Sequence, residues 1–70
     1  MNEFHKDSVV RFRGFVGVVQ SVGANRCYVR FRSIGDNILK SSLEAVDEAD
    51  LGDNEVLEVA EIRRKCYGDF

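Results

Sequence analysis

A period-two alternation of apolar and polar residues runs through residues 9–46, and turn-forming residues interrupt it at short intervals. It is clearest in RCYVRFR, residues 26–32, where Cys27, Val29 and Phe31 share one face. Such alternation is typical of β-strands that have one buried and one exposed face. We therefore predict short antiparallel strands for most of the chain.

Turn signals divide this region into five predicted strands. Gly14 allows a sharp turn after the first strand, and GAN, residues 23–25, forms a hairpin connection because Gly and Asn tolerate left-handed conformations. SIGDN, residues 33–37, is a predicted turn before a fourth strand that starts at Ile38, and SSLEAV, residues 41–46, leads into a fifth. Five strands spaced this closely favour a small closed barrel, because closure removes exposed sheet edges.

The period changes towards the C-terminus. Residues 48–53 form a predicted acidic linker, and residues 54–67 a predicted amphipathic helix with Asp53 as its N-cap. One face of that helix is expected to carry Val56, Val59, Ala60 and Arg63, flanked by Leu57, Ile62, Cys66 and Tyr67. Acidic residues in its first turns and basic residues in its last suit the helix dipole.

A glycine and valine pattern lies in the first half of the chain. It reads G-x-x-G-x-V-x-x-V and comprises Gly14, Gly17, Val19 and Val22, followed after a turn by Val29 and Phe31. Over residues 7–31 the chain thereby resembles KOW-type SH3-like barrels, which occur in ribosomal proteins and transcription elongation factors, and more loosely Tudor-type barrels. The resemblance implies a mainly β fold, a five-stranded SH3-like small barrel over residues 8–47. The C-terminal amphipathic helix is no part of that family motif. A chain of 70 residues is expected to form a single domain, residues 1–70.

The two parts of the chain carry opposite charge. Residues 1–40 hold seven basic and three acidic side chains, a net charge of +4, whereas residues 41–70 hold three basic and nine acidic ones, a net charge of −6. The net charge of the whole chain, −2, says little about partners. The asymmetry instead points to contact with a polyanion, or to an acidic tail.

Arginines dominate the solvent side of the predicted strands. The candidate nucleic-acid-binding residues are Arg11, Arg13, Arg26, Tyr28, Arg30 and Arg32. Guanidinium groups bind phosphate in pairs of hydrogen bonds, and a tyrosine among them can stack on a base. The expected function is a non-catalytic module that contacts RNA, DNA or a nucleoprotein machine such as the ribosome or RNA polymerase. The alternative reading is that these arginines pair with helix carboxylates and keep the sheet in solution.

The helix supports a second functional hypothesis. Its apolar arc either packs against its own barrel, closing one end, or docks on a partner or a second copy through Val56, Val59, Ile62 and Arg63. In the latter case the chain is a protein-binding adaptor or inhibitor, such as a small accessory or phage-type regulator, which also uses the acidic patch.

Catalytic and metal-binding chemistry find little support in the residues. His5 is the sole histidine, and the spacing of Cys27 and Cys66 matches no zinc motif, so we expect no enzyme activity, cofactor, metal or small-molecule substrate. The two cysteines are expected as thiols, with a single bridge as the alternative. No apolar run approaches the ~20 residues of a membrane helix, and MNEFHKDS lacks the layout of a signal peptide, so we expect a cytoplasmic location and no membrane contact.

Overall fold

The computed structural model describes residues 4–67, except for the side chains of residues 66 and 67. Within that range the fold is mainly β, as predicted, with five antiparallel strands in one sheet and a helix after them. The bounds are β1 Val9–Phe12, β2 Phe15–Val22, β3 Arg26–Arg30, β4 Gly35–Leu39, β5 Glu44–Ala45 and α1 Asp53–Tyr67. Two short 3-10 helices, Lys40–Ser42 and Glu48–Asp50, flank β5.

The sheet has the strand order β4-β3-β2-β1-β5 and is not closed. Strand β5 is two residues long and pairs with β1 through Val10 opposite Ala45 and Arg11 opposite Glu44. Within residues 4–67 it forms no ladder with β4, so these two strands are the edges of the sheet. The structure therefore shows an open five-stranded sheet where closure was predicted.

A two-residue turn joins β1 to β2. Phe12 pairs with Phe15, and the residues between them, Arg13 and Gly14, both have positive φ, 53° and 84°. Two successive left-handed residues match the twist of the strands that they connect. The predicted turn at Gly14 is confirmed, and Arg13 adopts a conformation that is uncommon for a residue with a side chain.

Strands β3 and β4 have different bounds from those predicted. Strand β3 ends at Arg30, and beyond it the Phe31 N–H donates to the Ile34 carbonyl at 2.7 Å across the connection to β4. Strand β4 begins at Gly35, three residues before the predicted start at Ile38. Gly, Asp and Asn have low strand propensity, but here the β3 backbone supplies their pairing, from Arg30 opposite Gly35 onward.

Apolar side chains fill both faces of β1 and β2, because neighbouring residues point to opposite sides of a strand. We call the two sides the interior face, which carries Val10 and Val19, and the outer face, which carries Val9 and Val18. The interior cluster consists of Phe4, Val10, Val19, Cys27, Val29, Ile38 and Leu43. The predicted inward direction of Cys27 and Val29 is confirmed, and both are fully buried.

Helix α1 packs on the outer face, where it contacts β2. Val59 and Ile62 are 2% and 1% exposed and join Val9, Val16 and Val18 in a second cluster. Burial of each helix side chain contributes about 1.5–3 kcal/mol before conformational entropy is subtracted. The helix thus covers a side of the sheet, and the expectation that it closes one end was wrong.

The predicted apolar face of the helix is shifted around its axis. Val56 and Leu57 are 48% and 69% exposed, and Ala60 is exposed as well, because the face towards the sheet is centred on Val59 and Ile62. Within the described part of the chain, no helix is long and apolar enough to cross a bilayer.

The helix begins one residue earlier than predicted. The Gly52 carbonyl accepts from the Val56 N–H at 2.9 Å, and the Glu55 carboxylate accepts from the Gly52 N–H at 3.3 Å. Gly52 therefore occupies the N-cap position that was predicted for Asp53, and Glu55 returns a bond as in a capping box. The predicted linker, residues 48–53, contains the 3-10 helix Glu48–Asp50. The Asp47 carboxylate caps this helix by accepting from the Ala49 N–H at 3.0 Å.

Candidate functional site

The outer face of β3 carries an alternating row of polar side chains. Arg26 is exposed, and Tyr28 and Arg30 are half-buried, whereas Cys27 and Val29 between them point to the interior. Alternate residues of a strand lie about 6.6 Å apart, so the row from Arg26 to Arg30 spans roughly 13 Å. The structure thus brings three of the six predicted nucleic-acid-binding residues onto one strand face.

Two neighbouring strands extend this row sideways. Tyr28 lies opposite Ser21 of β2 and opposite Asn37 of β4, so the three side chains form one rung on the same face. A register shift between Val19 and Ser21 makes this possible, because it turns Ser21 to the outer face. We call Ser21, Arg26, Tyr28, Arg30 and Asn37 the Tyr28 surface.

The Tyr28 ring leans along the sheet onto Gly35. An added Cβ at Gly35 would lie 2.7 Å from Cζ and 2.9 Å from Cε2 of the ring, closer than any tolerated contact. Gly35 is the diagonal neighbour of Tyr28 on β4, since its own partner is Arg30. The absence of a side chain at Gly35 is therefore what allows the ring to rest on the strand.

A shallow pocket of about 390 Å³ opens at the β2–β3 end of the Tyr28 surface. Its walls include Ser21, Asn25, Arg26, Tyr28 and Asn37. The lining thus combines hydroxyl, amide and guanidinium groups with an aromatic ring, so it can donate and accept hydrogen bonds and also stack on a planar group.

Arg11 has a structural partner on the helix. Its guanidinium donates two hydrogen bonds to the Glu55 carboxylate, at 2.8 and 2.9 Å. The bond from Arg11 and then that from the Gly52 N–H lower the pKa of Glu55. The bond to Glu55 in turn raises the pKa of Arg11. Arg11 thus anchors the first turn of α1 to β1, as the alternative reading of the arginines anticipated.

Arg32 and Arg13 lie away from the Tyr28 surface. Arg32, beyond the end of β3, makes a long 3.4 Å contact with Glu61 and stays 64% exposed. Arg13, in the β1–β2 turn, has its guanidinium carbon 5.3 Å from the centre of the Phe12 ring. Arg13 and Arg32 line one groove, so the predicted arginines are divided among that groove, the contact with α1 and the Tyr28 surface.

An apolar groove of about 530 Å³ lies between the β1–β2 turn and the segment 31–34. The rings of Phe12 and Phe31 stand 6.4 Å apart, and Phe15 and Ile34 are 67% and 61% exposed. The charged residues along the groove are Arg13, Arg32, Asp36 and Glu58. This exposed apolar surface was not predicted, because Phe12, Phe15 and Ile34 come together only through the register of the sheet.

Arg63, a predicted partner-binding residue, connects three segments of the chain itself. Its Nε donates to Asp7 at 2.8 Å, its terminal nitrogens bind both Glu48 oxygens at 3.0 Å, and Nη2 also donates to the Asp7 carbonyl at 3.1 Å. The bond to Arg63 lowers the pKa of Glu48, and the two carboxylates raise the pKa of Arg63. Of the other predicted partner-binding residues, Val59 and Ile62 are covered by the sheet and Val56 is half exposed.

Sequence reasoning missed Ser21, Gly35 and Asn37. Gly35 and Asn37 stood in a predicted turn, and the direction of Ser21 depends on the register shift in β2. The signal in the sequence was the run of small and polar residues 35–37, which follows a strand of alternating pattern. Such a run fits an exposed edge strand as well as it fits a turn.

Cysteine and metal chemistry add nothing to this surface. Cys27 is a free, buried thiol, and the side chain of Cys66 lies outside the described residues. Among the residues described, no three His, Cys, Asp or Glu side chains are grouped to hold a metal ion.

Comparison with known proteins finds no matching protein-family model, curated protein or solved structure.

Proposed function

We propose that this chain is a non-catalytic module that binds nucleic acid on the Tyr28 surface. The observation that carries the proposal is the position of Arg26 and Arg30 on either side of Tyr28 along one strand face. Neither arginine has an ion pair within the described residues, in contrast to Arg11 and Arg32. Two uncommitted guanidinium groups beside an aromatic ring suit a ligand that offers phosphates and bases.

The acidic residues of the chain are compatible with this proposal because several are already paired. Glu55 is neutralised by Arg11, and Glu48 and Asp7 by Arg63. Exposed charges separated by more than a Debye length, about 8 Å in physiological salt, are largely screened from each other. The local charge of the Tyr28 surface, rather than the net charge of −2, therefore governs the approach of a polyanion.

The finer fold and the location belong to the same proposal. Five antiparallel strands around one interior cluster support an SH3-like barrel of KOW or Tudor type. The free thiol of buried Cys27 supports a cytoplasmic protein.

The proposal is tested by a matched pair of double variants. We expect Arg26→Glu with Arg30→Glu to weaken binding of a short fluorescent oligonucleotide, measured by anisotropy over a range of salt concentrations. The slope of log K against log salt should fall by roughly 0.7–0.9 for each arginine that contacts a phosphate. The control, Arg64→Glu with Lys65→Glu, makes the same change in net charge on exposed positions of α1.

The two variants separate local from global charge. Binding that persists in the control and is lost in the strand variant supports the proposal. Equal weakening in both, or no binding by the unaltered protein at low salt, contradicts it.

A second candidate function, protein binding, is favoured by the apolar groove rather than by the helix. We propose as its occupant a protein segment with an apolar side chain flanked by carboxylates. The rim supports this choice because Arg13 and Arg32 are both exposed, and Arg32 stays 64% exposed beside its long contact with Glu61. Of the two carboxylates along the groove, Asp36 is exposed and Glu58 is half-buried. An apolar anchor in such a groove with a charged rim is the usual arrangement of a protein interface.

Peptide titrations followed by amide NMR shifts test this candidate. A short acidic peptide with a central leucine should shift the amides of Phe15 and Ile34, and Ile34→Ser should abolish the effect. The same peptide with lysines in place of its carboxylates should bind less tightly. Equal binding of both peptides would contradict the choice of occupant. Self-association of the chain in sedimentation that Ile34→Ser abolishes would contradict it as well.

A further inference from the structure

We infer that the pocket beside Tyr28 is a nucleobase site, so that the ligand of this surface is single-stranded RNA or DNA rather than a duplex. The inference rests on the proposed function, in which Arg26 and Arg30 bind the phosphates of a nucleic acid. It adds that Tyr28, Ser21 and Asn37 bind a base.

The Tyr28 ring is placed to accept a base. The end of the ring covers Gly35, with Cζ 2.7 Å from the position that a Cβ would take there, and the residue is half-buried. A ring supported from below by a strand loses little freedom when a base stacks on it. Stacking of this kind tolerates any base, because every base has a π face.

The rest of the rung supplies groups that can bind the edge of a base. The Asn37 amide can donate and accept, and the Ser21 hydroxyl can do both as well. Neither side chain makes a hydrogen bond within residues 4–67, and both are exposed. Neighbouring strands are about 4.8 Å apart, so Ser21 and Asn37 flank Tyr28 on both sides along one rung.

The shape of the site favours an unpaired base. The pocket, about 390 Å³, lies at the lower end of the range for small-molecule sites, roughly 300–1,000 Å³. In a duplex the faces of the bases are stacked on each other and cannot reach a ring that leans on a sheet. Arg26 lines the pocket and is placed to hold the phosphate that accompanies the base.

Two tyrosine variants test the stacking. Tyr28→Phe keeps the ring, whereas Tyr28→Val removes it and retains a good strand former. We expect Tyr28→Val to weaken binding of single-stranded RNA or DNA about tenfold and Tyr28→Phe to weaken it less than about twofold. Homopolymers of both sugars are used as separate probes, so that a preference for RNA or DNA is measured directly.

Intrinsic fluorescence gives an independent readout. The chain has two tyrosines and no tryptophan, so in a Tyr67→Phe background all tyrosine emission comes from Tyr28. A stacked base should quench this emission on addition of a single strand but not of a matched duplex. Asn37→Ala should change the ranking of the homopolymers, whereas the control Asn54→Ala, an exposed amide on α1, should leave it unaltered.

The outcomes distinguish this inference from the proposal on which it rests. If binding depends on Arg26 and Arg30 but Tyr28→Val binds single strands like the unaltered protein, the nucleobase site is refuted and the basic surface stands. Preference for the duplex also refutes the nucleobase site. Loss of all oligonucleotide binding in the unaltered protein refutes both.

Discussion

The Arg11 guanidinium joins β1 to the first turn of α1 through two hydrogen bonds to Glu55, a residue 44 positions later in the chain. The same carboxylate also accepts from the Gly52 N–H at the helix start. One side chain thus caps the helix and fixes it to the sheet.

This double role predicts a pH-dependent stability. Because the pKa of Glu55 in the fold lies below its ordinary value of 4.5, its contribution is complete above that value and is lost as the pH falls through the lowered pKa. We expect Glu55→Gln to have a lower thermal midpoint than the unaltered protein at neutral pH. The difference between the two midpoints should become smaller at acidic pH. Thermal unfolding followed by circular dichroism between neutral pH and about pH 3 measures both.

Asp53→Asn is the matched control for this prediction. It removes a carboxylate from the same helix turn, where no salt bridge within residues 4–67 involves Asp53. If the thermal midpoints of both variants fall equally at every pH, the contact of Glu55 with Arg11 does not stabilise the fold beyond the effect of an unpaired carboxylate.

The contacts of Arg63 lead to a second prediction, which concerns how firmly the segment around Asp7 is held to the helix. Lysine cannot bind Asp7 and Glu48 with the same fork of donors, so Arg63→Lys should cost about 1 kcal/mol of unfolding free energy. Urea denaturation measures this loss, and hydrogen exchange should speed up at the Asp7 amide, which donates to the Val19 carbonyl at 2.7 Å. Arg64→Lys, next along the helix and exposed, is expected to change neither quantity.

Gly17 predicts a third effect, in the interior cluster. An added Cβ there would lie 2.7 Å from Cγ1 of Val29 and 2.9 Å from Cε1 of Phe31. Gly17→Ala should therefore reduce the unfolding free energy by about 1–3 kcal/mol.

A double-variant cycle tests the cause of that loss. Val29→Ala removes the closest atom, so Gly17→Ala should cost less in that background than alone, as measured by urea denaturation. Additive losses would show that the contact with Val29 is not the reason.

The sequence predicted the elements better than their arrangement. Alternation of side chains is a local property, so the inward direction of Cys27 and Val29 and the C-terminal helix could be inferred. The bounds of β4 could not, because pairing with β3 overrides the low strand propensity of Gly35 and its neighbours. The side of the sheet that α1 covers depends on contacts between distant segments, which a local pattern does not encode.

The candidate site shows the same division. Arg26, Tyr28 and Arg30 were predicted to share a face, since they alternate along one strand. The ion pair of Arg11 with Glu55 depends on where α1 packs on the sheet. The rung that Tyr28 forms with Ser21 and Asn37 depends on the register shift in β2. Neither has a signal within a single segment.

Gly35 predicts a final effect, in which binding and stability respond differently. A methyl group at this position would occupy the space of the Tyr28 ring, so Gly35→Ala should displace the ring from the strand. Oligonucleotide affinity should then fall about as far as in Tyr28→Val, roughly tenfold, because the base loses its platform. The urea midpoint should fall less than in Gly17→Ala, since the Tyr28 ring is half-buried and has solvent to move into, whereas Val29 is fully buried. Should Gly35→Ala bind single strands as tightly as the unaltered protein, the position of the ring on Gly35 has no part in recognition.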